Sequence, residues 1–128
     1  MDRIIEKMDF KFFGTGQHKI DAESFIKKDN AVMLDVRAKE ETETLKISLK
    51  HHFPVLEIPF NELPARLKEL PVDKFIGIFC SSGVRSAITF GYLRGKGLEN
   101  VRMIEGGYTE LTQALLPGKI YKHLNKVL

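Results

Sequence analysis

The stretch "FIGIFCSSGVRSAI", Phe75 to Ile88, decides the fold and holds the chain's single cysteine. The run Lys74 to Phe79 reads as a short buried strand. A turn of small residues follows. It gives way to "VRSAITFGYLRGKG", whose pattern is helical and whose end is marked by Gly95 or Gly97. Strand, tight turn and helix in that order make one unit of an α/β layer. Cys80 stands at the carboxyl end of its strand, where open sheets of this class bind ligands.

The same unit recurs on both sides. Toward the amino terminus, "HKI" (His18 to Ile20) reads as a short strand, and Asp21 caps a helix in "AESFIKK". "AVMLDV" (Ala31 to Val36) is a second buried strand, and the charged "RAKEETETL" after it reads as a solvated helix. "VLEIPF" (Val55 to Phe60) is a third. Asn61 is then placed to cap a helix "ELPARLKEL", with Pro64 in its first turn and Leu63, Leu67 and Leu70 on one face. Beyond the cysteine unit, "NVRMIEGG" is a strand running into a glycine turn. "YTELTQALL" is a helix stopped by Pro117-Gly118. Such alternation predicts a mostly parallel sheet with helices on both faces.

A chain of 128 residues fits one domain and buries a core without staples. Hydrophobic residues at 43% and charged ones at 29% place it with soluble globular proteins. A net charge of +3 is too small to argue for nucleic acid, and it favours small anionic substrates over cationic ones. One cysteine excludes an internal disulfide and fits a reducing compartment. The stretch "MDRIIEKMDFKFFGTG" has acidic residues at Asp2 and Glu6 and no long apolar segment, which makes it a poor signal peptide, and no run approaches the roughly 18 apolar residues that span a membrane. The expectation is a cytoplasmic protein without a membrane partner.

The loop Cys80-Ser81-Ser82-Gly83-Val84-Arg85 has its own chemistry. Small residues between a strand and a helix let several backbone N–H groups converge into an anion-binding nest. The helix adds the positive end of its dipole, and Arg85 adds a full charge. Thiolate is the attacking form of cysteine, and this cradle favours it. Gly83 is the position that calls for positive φ. Ser81, Ser82 and Ser86 supply hydroxyl groups. A buried cysteine that merely fills a core would need neither the small loop nor the arginine.

"CSSGVRS" resembles the active loop of the rhodanese family of sulfurtransferases: Cys, two residues, Gly, any residue, Arg-Ser. "LDVR" (Leu34 to Arg37) resembles the family's Asp-Val-Arg, and "IEGGY" (Ile104 to Tyr108) its Gly-Gly turn. The three occur in the family's order, over roughly Ile20 to Leu116. The resemblance implies a three-layer fold, with a central sheet of about five strands between helices. It also implies a domain over residues 18–128 behind an extension of residues 1–17.

The resemblance further implies that Cys80 takes sulfur from thiosulfate or a persulfide donor and passes it to cyanide, a thiol or a sulfur-relay protein. The amides of Ser81 to Arg85, with Ser86, would cradle the donor. Arg85 would hold the loop and bind the anion. Asp35 and Arg37 would tie the neighbouring strand end to the loop. No cofactor and no metal are implied.

The segment "KEETETLKISLKHHFPVLEIP" departs from the family, lacking its Gly-His-Ile and Gly-Ala, so one wall of the site has no family counterpart. A cysteine phosphatase or arsenate reductase is the nearest rival reaction, but those loops place five residues between Cys and Arg. Here there are four, a tighter cradle suited to one sulfur. A carrier or partner-binding module without thiosulfate turnover is a second alternative. His51-His52 is half a metal site without a second half. "GTG" at Gly14 to Gly16 is a turn signal. "KIYKHLNKVL" at the carboxyl end reads as an amphipathic helix packed on the core.

Overall fold

A computed structural model of the chain describes residues 2–44, 53–81 and 83–115. His51-His52, Pro117-Gly118, the stretch expected to form the carboxyl-terminal helix and Ser82 lie outside the described residues, as does most of "KISLKHHFP".

Five parallel strands form one sheet: β1 (Lys19–Ile20), β2 (Ala31–Asp35), β3 (Val55–Glu57), β4 (Phe75–Phe79) and β5 (Val101–Ile104). Their spatial order is β1-β5-β4-β2-β3. The central rungs pair Ala31 through Asp35 with Phe75 through Phe79. The expected fold class is therefore what the chain adopts. All the strand carboxyl ends share one edge, and Cys80 follows β4 at that edge.

Period-two alternation sorts the strand residues between two cores. Val32, Leu34, Val36, Ile76, Ile78 and Cys80 face one side, with Phe90 and Leu93 of the long helix α5 (Val84–Gly95). Met33, Phe79 and Ile104 face the other. They meet Phe25 of α3 (Ala22–Ile26), and Leu111 and Ala114 of α6 (Gly107–Ala114). Each large side chain buried this way contributes about 1.5–3 kcal/mol before the entropy of ordering is counted. The sheet is thus covered on both faces, and its strands read as continuous apolar runs.

The residues ahead of β1 form two short helices, α1 (Asp2–Glu6) and α2 (Phe10–Gly14). Asp9 caps α2, accepting the Phe12 N–H at 3.0 Å. Phe12 is buried in the same core as α5, 6.3 Å from the Phe90 ring. Asp21 caps α3 as the sequence indicates, accepting from the Ser24 N–H at 3.0 Å.

Two elements differ from the sequence expectation. The third strand stops at Glu57, just ahead of Pro59, which has no N–H to offer a ladder. The helix expected after Asn61 is two 3₁₀ segments, Phe60–Glu62 and Pro64–Glu69, and Asn61 lies inside the first. Pro64 starts the second segment and disfavours a continuous α-helix through Leu63. Leu63 and Leu70 still enter the core, with Leu67 packed against it.

Candidate active site

The turn after β4 converges on one sulfur. Gly83 has φ of +86° and precedes α5, a conformation that favours glycine. Its N–H donates to Cys80 Sγ at 3.0 Å, and the Ser86 N–H donates at 3.3 Å. Two backbone donors at a helix amino terminus form a nest for negative charge on that sulfur. Cys80 is only 2% exposed, so the sulfur is held in a low-dielectric wall.

Arg85 is half-buried at the start of α5. Its guanidinium grips Glu41 with two bonds, Nη1 to Oε1 at 2.6 Å and Nη2 to Oε2 at 3.0 Å. Nη2 also donates to Ser81 Oγ at 3.2 Å, and that hydroxyl donates to Glu41 Oε2 at 3.1 Å. The loop is thereby closed by a ring of three side chains. The Arg85 bonds hold the Glu41 carboxyl down at about 2, so it is a carboxylate at any physiological pH. Glu41 lies on α4 (Lys39–Thr44), where Oε1 also accepts the Ala38 N–H at 3.0 Å. That is half of a capping box, with the glutamate three residues past the helix cap.

Asp35 and Arg37 form a second pair, and both are fully buried. Arg37 Nη2 reaches Asp35 Oδ2 at 2.7 Å, and Nε reaches Oδ1 at 2.9 Å. Arg37 Nη1 donates to the Tyr108 hydroxyl at 2.8 Å, and the guanidinium lies against the Phe79 and Tyr108 rings. This is no surface ion pair. Among the described residues, its bonds run to Tyr108 in the first turn of α6, and the side chain bonded to the cysteine loop is Glu41.

The Gly-Gly turn closes the other side. Gly106 and Gly107 have φ of +84° and +57°. A Cβ on Gly107 would stand 2.8 Å from the Ser81 carbonyl oxygen, so only glycine lets this turn approach the loop.

Cys80, Ser81, Gly83 and Ser86 line a cleft of about 510 Å³ with Gly106 and Gly107. Val84 is 63% exposed beside it. Of the sequence-derived site residues, the structure brings Cys80, Ser81, Gly83, Arg85 and Ser86 together and sets Asp35 and Arg37 behind them. Glu41 and Tyr108 belong to the arrangement and were not singled out from the sequence. Among the described residues, no group of three His, Cys, Asp or Glu side chains is placed to hold a metal ion. No helix among them is long and apolar enough to cross a membrane.

The stretch that folds into this site, together with most of the chain around it, matches a known family model. That model, the Rhodanese-like domain, covers residues 20–114. The chain belongs to the rhodanese-like domain family. The rhodanese-related protein of Thermoplasma volcanium is 30% identical, with a TM-score of 0.61 over 78% of this chain and 95% of that one. The NAD-dependent persulfide reductase of A. fulgidus is 35% identical, with a TM-score of 0.59 over 77% of this chain and 17% of that one. The tRNA sulfurtransferase of Actinobacillus succinogenes is 33% identical over 75 residues. That match takes in 59% of this chain and only 15% of the length of the sulfurtransferase. Proteins named for sulfur transfer and persulfide chemistry are thus among its relatives.

Proposed function

We propose that this rhodanese-like domain is a sulfurtransferase working through a persulfide on Cys80. The observation that carries the reading is the pair of N–H donors on Cys80 Sγ, from Gly83 and Ser86. In the first half-reaction the Cys80 thiolate attacks the outer sulfur of thiosulfate or of a persulfide donor. A new S–S bond forms at Cys80. The donor's own S–S bond breaks, and its electron pair leaves on sulfite or on the donor thiolate. Cyanide or a thiolate then attacks the outer sulfur and returns Cys80 as thiolate.

The nest stabilises the charge that gathers on sulfur in both steps. Ser81, Gly83, Val84 and Ser86 shape the cradle. Arg85, fixed by Glu41, holds the loop and keeps a positive charge beside the arriving anion. Asp35 and Arg37 fix the strand end behind it. The single cysteine means that release needs an external acceptor, a small thiol, cyanide or a sulfur-relay protein in the cytoplasm. The functional unit on this reading is residues 18–128, with residues 1–17 as an extension.

Intact mass spectrometry after incubation with thiosulfate tests the reading. One added sulfur is expected, removed by cyanide and absent from Cys80→Ser. A sulfur taken from a persulfide reagent but not from thiosulfate would favour the carrier reading. No adduct from either donor would end both.

A further inference from the structure

The Cys80 cleft has a second end that the transfer chemistry does not use. Lys19 of β1 and Glu105, just past β5, line it together with His18. Lys19 Nζ and Glu105 Oε1 meet at 2.7 Å, and both side chains are 42% exposed. The backbone beneath them is pinned. The Glu105 N–H donates to the Ile20 carbonyl at 2.9 Å, and Arg102 donates to the Gly16 and Lys19 carbonyls at 3.2 and 3.3 Å. The two charged heads are thus the adjustable part of a fixed frame. An ion pair this exposed contributes little to stability, so parting it for a ligand costs little.

Two residues of the cleft wall also carry buried polar atoms. Ser86 is 2% exposed, and among the described residues its hydroxyl has no hydrogen-bond partner. His18 Nδ1 is sealed from solvent and equally unpartnered. Burial, and then the neighbouring Lys19, lower the His18 pKa, which favours a neutral imidazole. Buried polar atoms without partners are uncommon, and here both belong to residues that line the Cys80 cleft.

We infer that Lys19 and Glu105 make the Cys80 cleft selective for an α-amino thiol of the cysteine class as sulfur acceptor, an inference that rests on the sulfur-transfer reading above. A cysteine-type ligand carries its carboxylate and its ammonium on one carbon. Lys19 takes the first and Glu105 the second, each exchanging one opposite charge for another. A purely anionic thiol meets Glu105 as a like charge, and a purely cationic one meets Lys19. The bound thiolate attacks the outer sulfur of the Cys80 persulfide. A bond forms between the ligand sulfur and that outer sulfur. The bond from the outer sulfur to Cys80 breaks, and its electron pair returns to Cys80 as thiolate, with no net oxidation.

The test loads Cys80 with one sulfur and follows its discharge to cysteine, cysteamine, 3-mercaptopropionate and 2-mercaptoethanol at equal thiolate concentrations. Each rate is divided by the discharge rate to cyanide in the same preparation. Cysteine should lead the other thiols by about tenfold in kcat/KM, with the lead in KM. Lys19→Gln should abolish its lead over cysteamine, and Glu105→Gln its lead over 3-mercaptopropionate. The exchanged pair Lys19→Glu with Glu105→Lys should restore both. The wild-type series needs no variant to fold. If it shows cysteine no faster than 2-mercaptoethanol while cyanide still discharges Cys80, the selectivity is refuted and sulfur transfer stands. A Cys80 that takes up no sulfur overturns both.

Discussion

Two carboxylate–guanidinium pairs stand near the Cys80 loop, alike in geometry and opposite in setting. Asp35–Arg37 has no exposed side-chain surface, whereas Arg85 and Glu41 are 27% and 32% exposed. Inside the protein, two charges tolerate removal from water only when both stay paired and their remaining bonds are met. Asp35, Tyr108 and the flanking rings meet that condition for Arg37. At the cleft mouth, solvent screens the pair, and little stability depends on it. Breaking the inner pair is therefore costly to folding, and the outer pair ties Glu41 to Arg85 and Ser81 of the cysteine loop.

The largest expected effect comes from breaking the inner pair. Arg37→Ala leaves a buried Asp35 unpaired and should cost about 3–5 kcal/mol, read as a shift in the urea midpoint. A loss under about 1 kcal/mol would put the inner pair in the class of the outer one and undo the contrast.

An intermediate effect comes from the turn that joins the two regions. Gly107 precedes Tyr108, the partner of Arg37, and it also abuts the Ser81 carbonyl. Gly107→Ala meets a φ of +57° and a 2.8 Å approach to that oxygen. The strain should cost about 1–3 kcal/mol and displace the Ser81 side of the cradle, so sulfur loading of Cys80 should slow as well. Lost stability with loading unchanged would show that the turn supports the inner pair alone.

These two regions were unequally visible in the sequence. The strand–turn–helix around Cys80, the Asp-Val-Arg at the end of β2 and the Gly-Gly turn are local patterns, and each lies where its chemistry acts. Glu41 is different. It sits in "KEETETL" among Glu40 and Glu43, a stretch that reads as a solvated face, and Arg85 is 44 residues away. Only the sheet order, which sets β2 beside β4, brings α4 to the loop. The one local hint was a glutamate three residues into the helix, where it also reaches back to the Ala38 N–H. Tyr108 was hidden for the same reason, since its partner lies 71 residues earlier. The 3₁₀ breaks around Pro64 were missed because leucine spacing alone does not distinguish a continuous helix from two short turns that present the same face.

The smallest effect, and the finest test of the contrast, is at Glu41. Glu41→Gln keeps the shape and removes the charge, and at neutral pH it should cost no more than about 1 kcal/mol, because the pair is partly screened. Its pH dependence separates it from a packing effect. Folding lowers the Glu41 pKa from 4.5 to about 2, so the folded state binds that proton more weakly than the unfolded one. The stabilisation is therefore fully present above about 4.5 and is lost as pH falls toward about 2. Wild type and Glu41→Gln should differ most above that window and converge below it, in denaturant melts repeated across pH. No difference at any pH would mean that Glu41 acts by shape, which glutamine keeps. The loop would then be closed by packing, without help from the charge that holds Arg85.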